Sequence, residues 1–414
     1  MRVLWLSNKI LQEKDIGTTG SWLEPMAQAL VRSGEIELGN ITAGKVNSLT
    51  RHDYGAIKQW LVPVRRLGRH GLPSHDVVAD IVKVVVEFRP DLVHIWGTEA
   101  YWGLLTARGI IRLPALLEIQ GLKGAIARVF EGGLNVREQM ACIGLKEIVR
   151  GTTTFQVKKQ FGRWGAFERE MIQSHRFIFT QSEWVRAHVA ALNRSSTIFH
   201  TARILRKQFY IASVWKPIYS KRIFFSAAYA APFKGLHTAL NALAILKQRF
   251  TNIQLRIAGA IQKVGIRQDG YVQWLNRLVR KLDIDKNVKW LGALSADGVV
   301  SEISSCAAMV IPSFIESYSM TMQEAMYLGV PVVASYVGGL PSLAKDEESA
   351  LFFPAGDAEM CAYQLERLLI DPGLAERIGK RAREEVLFRN EPERIVRNQI
   401  EIYRQVLALS SERH

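Results

Sequence analysis

Apolar and polar positions along this chain alternate in two rhythms. Short apolar runs closed by turn residues read as buried strands, and longer stretches with apolar residues three and four apart read as helices. In the first half, strand-like runs at Val3–Ser7, Leu92–Trp96 and Ala115–Gln120 alternate with helical stretches at Ser21–Arg32 and Asp76–Phe88. The pattern restarts at Arg222–Ser226 and continues through helix Leu236–Gln248, strand Ile253–Ala258, helix Val272–Leu282, and strands Val288–Leu291 and Ala307–Ile311. Strands separated by helices predict a parallel sheet covered on both faces, and here the prediction is made twice. Arg203–Lys221, which contains Lys216-Pro217, is the expected connector; past Asp371-Pro372 the chain is helical and charged, ending in Ile395–Ala408.

A length of 414 residues with 48% hydrophobic content suits two domains with real cores. No run approaches the roughly 18 uncharged apolar residues of a membrane span. The start, Met1 to Ser7, reads as a first strand rather than a signal peptide, so a cytoplasmic location is expected. Cys142, Cys306 and Cys361 are scattered without a metal-ligand spacing, which predicts buried thiols rather than disulfides or structural zinc. The charge is uneven: residues 121–220 carry 16 Lys+Arg against 6 Asp+Glu of a chain whose net charge is +15. Such a patch points to an anionic partner, with a solvated face as the plainer account. Val129, Phe130, Phe161 and Trp164 interleave with the basic residues, which favours an anionic membrane surface, peripheral at its inner face. The lack of any recognisable reading module argues against nucleic acid.

The chemistry concentrates after the strand at Ala307–Ile311. That strand delivers Glu316 into a loop at its carboxyl end, a helix follows, Gly329 stops it, and Pro331 opens the next buried strand. In an open parallel sheet this places a ligand at the carboxyl edge and an anion at the helix N-terminus, so the backbone N–H groups of Ser317, Tyr318, Ser319 and Met320 are candidates to hold phosphate oxygens. If the residues between Glu316 and Glu324 were wholly helical they would span about 12 Å, comparable with the reach from a sugar across a diphosphate to a ribose. Carboxylates so near a phosphate site fit if they accept hydrogen bonds from sugar hydroxyls. Taken alone, the spacing favours a plainer account over the sugar site, with Glu316 capping the helix dipole and Glu324 on a solvated face.

The rest of the segment decides between them. Glu316 and Glu324 in E-x7-E order, then Gly329-Val-Pro-Val-Val-Ala-Ser335, Gly338-Gly339-Leu-Pro341 and Pro354-Ala-Gly356-Asp357, strongly resemble the family 4 glycosyltransferases, which are retaining enzymes. The resemblance implies an α/β GT-B fold: two Rossmann-like domains facing each other across a cleft, with the C-terminal helix returning to the N-terminal domain. The expected bounds are 1–210 plus the returning helix 391–414 for the acceptor-binding domain, and 211–390 for the nucleotide-sugar donor domain. It also implies that Glu324 holds the ribose, Glu316 the donor sugar, and Lys234 the diphosphate. Lys234-Gly235 matches the family's Lys-Gly, but Tyr229 stands where the family has an arginine, leaving Arg203, Arg206 or another basic residue to replace it. Gly20, in the glycine loop Gly17–Ser21, and His94, in a run resembling the family's PD-x-x-H strand and otherwise readable as a satisfied core histidine, are expected to line the acceptor or sugar site. So is Gln120, where many relatives place a histidine; glutamine can bond a hydroxyl but not shuttle a proton near neutral pH. Asp283-Ile-Asp285 spells a DxD but reads as turn chemistry, so no obligatory metal is expected, and without GxGxxG no redox cofactor.

The reading is therefore a metal-independent retaining glycosyltransferase that takes a UDP- or GDP-sugar as substrate. It would transfer the sugar to a glycan or lipid-diphosphate-linked acceptor in cell-surface polysaccharide biosynthesis. The alternatives are a nucleotide-sugar epimerase or hydrolase of similar fold, and a non-enzymatic basic protein that binds membrane or another polyanion.

Overall fold

The computed structural model describes residues 1–12, 20–218, 221–228, 230–259 and 269–412. Two sheets organise it. The first has the order β3-β4-β2-β1-β5-β6-β7-β8, built from β1 (Arg2–Ser7), β2 (Glu37–Gly44), β3 (Thr50–Arg51), β4 (Lys58–Pro63), β5 (Leu92–Trp96), β6 (Ala115–Glu118), β7 (Phe177–Phe179) and β8 (Thr197–Phe199), parallel except for β3. The second has the order β11-β10-β9-β12-β13-β14, built from β9 (Arg222–Ser226), β10 (Gln254–Ala258), β11 (Val288–Gly292), β12 (Ala308–Ile311), β13 (Val332–Ser335) and β14 (Leu351–Phe353), and its ladders are parallel. In both, the strand order reverses beside the first strand, β1 or β9, which opens a crevice at the carboxyl ends.

The strands the alternation passes over are instructive. β2 carries Gly39, Asn40 and Thr42 yet is buried almost throughout. The Asn40 amide is satisfied inside: Ser7 Oγ donates to Asn40 Oδ1 at 2.8 Å and Asn40 Nδ2 donates to Gln59 Oε1 at 2.9 Å. A strand that buries amides in a closed hydrogen-bond network does not look apolar.

Helix Pro392–Ser411 returns to the first sheet, burying Ile395, Ile400, Tyr403 and Val406 with Val3, Trp5, Leu23 and Leu30. Trp5 Nε1 donates to Tyr403 Oη at 3.2 Å. The connector is packed rather than loose. It contains a short helix, Lys207–Ile211, and Leu205, Phe209 and Trp215 lie in the core of the second sheet, where Trp215 Nε1 donates to Cys306 O at 2.9 Å. The three cysteines are buried and free. No helix among the described residues is long and apolar enough to cross a membrane.

Candidate functional site

The carboxyl edges of the two sheets face one another across a cavity of about 450 Å³. Its C-terminal wall begins where β12 ends. Glu316 accepts from Lys234 Nζ at 2.7 Å and from Ser313 Oγ at 2.8 Å, all three lining the cavity. Glycines permit the arrangement. Gly235 has φ +69° and an added Cβ would lie 1.8 Å from Pro312 O, so only glycine lets the turn after Lys234 press against the β12 loop. Gly338, at φ +52°, would carry its Cβ 2.1 Å from Glu316 O, and Gly339 N donates to that same carbonyl at 2.7 Å. The Gly-Gly of the motif is thus the clamp that fixes the Glu316 loop. Ser182 Oγ, from the other domain, donates to Ser317 O at 2.8 Å. Helix Met320–Leu328 then starts on a Ser319 cap, whose Oγ accepts from Met322 N at 3.2 Å, so its N-terminus and Ser317, Tyr318, Ser319 and Met320 face the cavity.

Glu324 sits elsewhere. It is not among the cavity-lining residues; its buried carboxylate is held bidentately by Arg206, Nε to Oε1 and Nη2 to Oε2 both at 2.8 Å. One turn into the helix the side chain is on the packed face, and the connector brings a guanidinium to it. Of the two glutamates, only Glu316 opens on the cavity in this structure.

The N-terminal wall is made by Asn8, Lys9, Gly20, Trp22, Glu99, Gln120, Gly121 and, from the crossing segment, Arg203. Gly20 is where the glycine loop was expected to reach; Gly17 to Thr19 lie outside the described residues, as does Tyr229. Four polar atoms on this wall are shut off from solvent without a hydrogen-bond partner: Trp22 Nε1, Glu99 Oε2, Gln120 Nε2 and Arg203 Nε. Burial, with the neighbouring Glu168 carboxylate adding to it, pushes the Glu99 carboxyl up to about 7. Lys123 Nζ donates to the Glu99 carbonyl at 2.6 Å, and Glu168 accepts from the N–H groups of Lys123 and Gly124 at 2.7 and 2.8 Å.

His94 does not line the cavity, contrary to expectation. It is wholly buried on the face of β5 that carries Leu92 and Trp96, as the two-residue period of a strand requires. There its Nδ1 meets Tyr403 Oη at 2.8 Å and its Nε2 faces Glu118 Oε2 at 3.3 Å, while burial lowers its pKa. Sequence reasoning missed Glu99, although it closes the same run and a polar residue just past a buried strand end was the available signal. It missed Trp22 and Glu118 too. Asp283 and Asp285 occupy the turn between helix Gly270–Lys281 and β11, where Asp283 pairs with Lys247 at 2.8 Å.

Comparison with known proteins agrees with this architecture. Residues 214–385 match the family model described as Glycosyl transferases group 1. Over 108 residues the chain is 32% identical to the D-inositol 3-phosphate glycosyltransferase of Streptomyces bingchenggensis, covering 26% of this chain and 24% of that protein. The chain spans between 24% and 50% of the length of such curated relatives. Among solved structures, sucrose-phosphate synthase from Thermosynechococcus elongatus superposes with a TM-score of 0.72 at 17% identity, covering 99% of each chain. HepE of Anabaena, in complex with UDP and glucose, superposes with a TM-score of 0.67 at 17% identity, covering 96% of this chain and 98% of that one. The fold is GT-B, and residues 214–385 within it are similar to the glycosyl transferases group 1 family.

Proposed function

We propose that this protein is a retaining, metal-independent glycosyltransferase of the family 4 type, moving a sugar from a UDP- or GDP-sugar to a glycan or lipid-diphosphate-linked acceptor. The observation that carries the reading is the Lys234–Glu316 pair at 2.7 Å beside a capped helix N-terminus in the interdomain cavity. An ammonium and a row of backbone N–H groups suit a diphosphate whose charge grows as the glycosidic bond breaks. Glu316 on the same loop is placed to accept from the donor sugar's hydroxyls. In a retaining transfer the departing diphosphate takes the acceptor's proton on the face it leaves. Glu324 reaches a ribose only by sharing or releasing Arg206.

The N-terminal wall, with its unpartnered Gln120 and Glu99 atoms, fits an acceptor rich in hydroxyls. A lipid-linked acceptor at the inner face of an anionic membrane is supported by Val136, Met140, Leu145, Ile148 and Val149, exposed large apolar side chains close in sequence to the exposed Arg137 and Arg150. One observation favours a nucleotide-sugar hydrolase or epimerase instead: Glu99, with its pKa at about 7, is a ready acid–base group on the cavity wall.

Thermal shift with a panel of UDP-, GDP-, ADP- and TDP-sugars tests the reading, since a ligand at about 100 times its Kd stabilises the folded state by about 2.7 kcal/mol. One nucleotide-sugar should raise the midpoint of the wild type, and the Lys234→Ala and Glu316→Gln variants should lose that rise. No shift with any of them removes the donor site. Release of the nucleoside diphosphate without an acceptor, at the rate seen with one, moves the reading to a hydrolase.

A further inference from the structure

Among the described residues, the only guanidinium on the wall of the interdomain cavity is that of Arg203, and both domains grip it. It lies 4.3 Å from the ring of Trp22, on the N-terminal side, and 5.5 Å from the ring of Tyr318, in the loop that follows Glu316. Nη2 donates to Glu118 Oε1 at 2.8 Å. Nε is enclosed with no hydrogen-bond partner, and the side chain is only 6% exposed. Enclosing a guanidinium with donors unspent is costly unless something completes them.

Its counter-ion is also divided. Glu118 Oε1 accepts from Gln181 Nε2 at 2.8 Å as well, and Oε2 faces His94 at 3.3 Å. On the opposite wall, the Lys234 ammonium already holds Glu316. A nucleoside diphosphate entering this cavity would bring two or more negative charges to a site where Arg203 and Lys234 are each already engaged by a carboxylate. Arg203 answers that need better than a lysine would, because a planar fork gives parallel N–H bonds to phosphate oxygens. Tyr318 adds a positional argument: the ring beside Arg203 belongs to the stretch whose backbone N–H groups open the helix N-terminus.

We propose that Arg203 is a second cation for the donor diphosphate, acting across the cavity from Lys234. The proposal rests on the donor-site reading above and adds to it a residue from the segment that crosses between the domains. It also accounts for an arginine that lies close to aromatic rings of both domains, a position suited to sensing a ligand between them.

The test compares ligands that differ only in the phosphates. Uridine, UDP, guanosine, GDP and inorganic pyrophosphate are titrated against wild type, Arg203→Gln and Arg203→Lys by NMR or calorimetry. Arg203→Gln should weaken the preferred nucleoside diphosphate and pyrophosphate at least tenfold while leaving the nucleoside within twofold. Arg203→Lys should weaken the diphosphate several-fold, and it carries the comparison if Arg203→Gln does not fold. A purely structural clamp would weaken nucleoside and diphosphate by the same factor, and that result overturns the proposal, as does an unchanged diphosphate affinity. Wild type that binds pyrophosphate through Arg203 but no nucleotide would leave the anion site standing and remove the donor reading. Binding of none of the five ligands would remove both.

Discussion

The two walls of the cleft are built on different principles. The C-terminal wall is set by backbone: Gly235 and Gly338 allow segments to approach so closely that a methyl group would collide with a carbonyl, and a serine-capped helix points its N-terminus at the cavity. The N-terminal wall is set by side chains in a buried polar network, with Arg203, Glu118, Gln181 and His94 linked below the surface and Trp22, Glu99 and Gln120 left with unpartnered atoms above it. A backbone-built wall tolerates little variation, because its glycines have no substitutes. A side-chain wall can be rewritten residue by residue. The function proposed above assigns the common nucleotide portion to the first wall and the particular acceptor to the second.

The strongest way to break the comparison is at Glu324, a residue of the C-terminal domain that behaves like the other wall. Its carboxylate is tied to Arg206, whose side chain is 18% exposed, so Glu324→Ala strands a largely buried guanidinium. Removing one partner of such a pair costs about 3–5 kcal/mol, and urea denaturation should show a loss of that order, partly recovered in Glu324→Ala/Arg206→Ala. Glu324→Gln keeps a hydrogen-bonding shape and should fold. If Glu324 serves a ribose, this variant weakens nucleoside binding about tenfold; an unchanged affinity takes Glu324 out of the donor site and leaves it a structural residue.

Gly338 sharpens the contrast from the other side. Gly338→Ala places a Cβ against the Glu316 carbonyl in a left-handed backbone conformation, a strain of about 1–3 kcal/mol. The loop must then move, and the thermal shift given by the preferred nucleotide-sugar should fall even though no polar group has been removed. A full shift in that variant would mean that the clamp does not position Glu316.

These positions also show what a sequence displays. The strands and helices with clean periods were readable: helix Met320–Leu328 and the strands on either side of it are marked by apolar runs, Gly329 and Pro331. The Gly-Gly-x-Pro pattern was visible because backbone contacts this close demand one residue type. β2 was not readable, since its buried Asn40 and Thr42 look polar. Nor were the partners of the side-chain network. Arg203 and Glu118 are 85 residues apart and Arg206 and Glu324 are 118 apart, and nothing local in either segment announces the pairing. His94 is a case the sequence leaves open: a histidine in a cleft-forming strand can face the cleft or the core, and strand alternation turns this one toward the returning helix.

The smallest effect concerns the titration of the N-terminal wall. Glu99 has a folded-state pKa pushed up to about 7 from an ordinary 4.5, by burial first and by Glu168 second, with Lys123 and Arg203 opposing. Because the folded state binds the proton more tightly, stability is greatest below the unfolded value and falls as pH rises from about 4.5 to about 7, levelling above it. Glu168 is also pushed up to about 7, so the wild-type curve sums at least two such groups. Glu99→Gln keeps a neutral hydrogen-bonding side chain and removes one of them. The difference in unfolding free energy between wild type and variant should therefore decline across that window by about 1–3 kcal/mol. A difference that stays flat from pH 4.5 to 8 would mean that Glu99 ionises as an ordinary surface carboxylate. The N-terminal wall would then lose the raised carboxyl on which the hydrolase or epimerase reading rests.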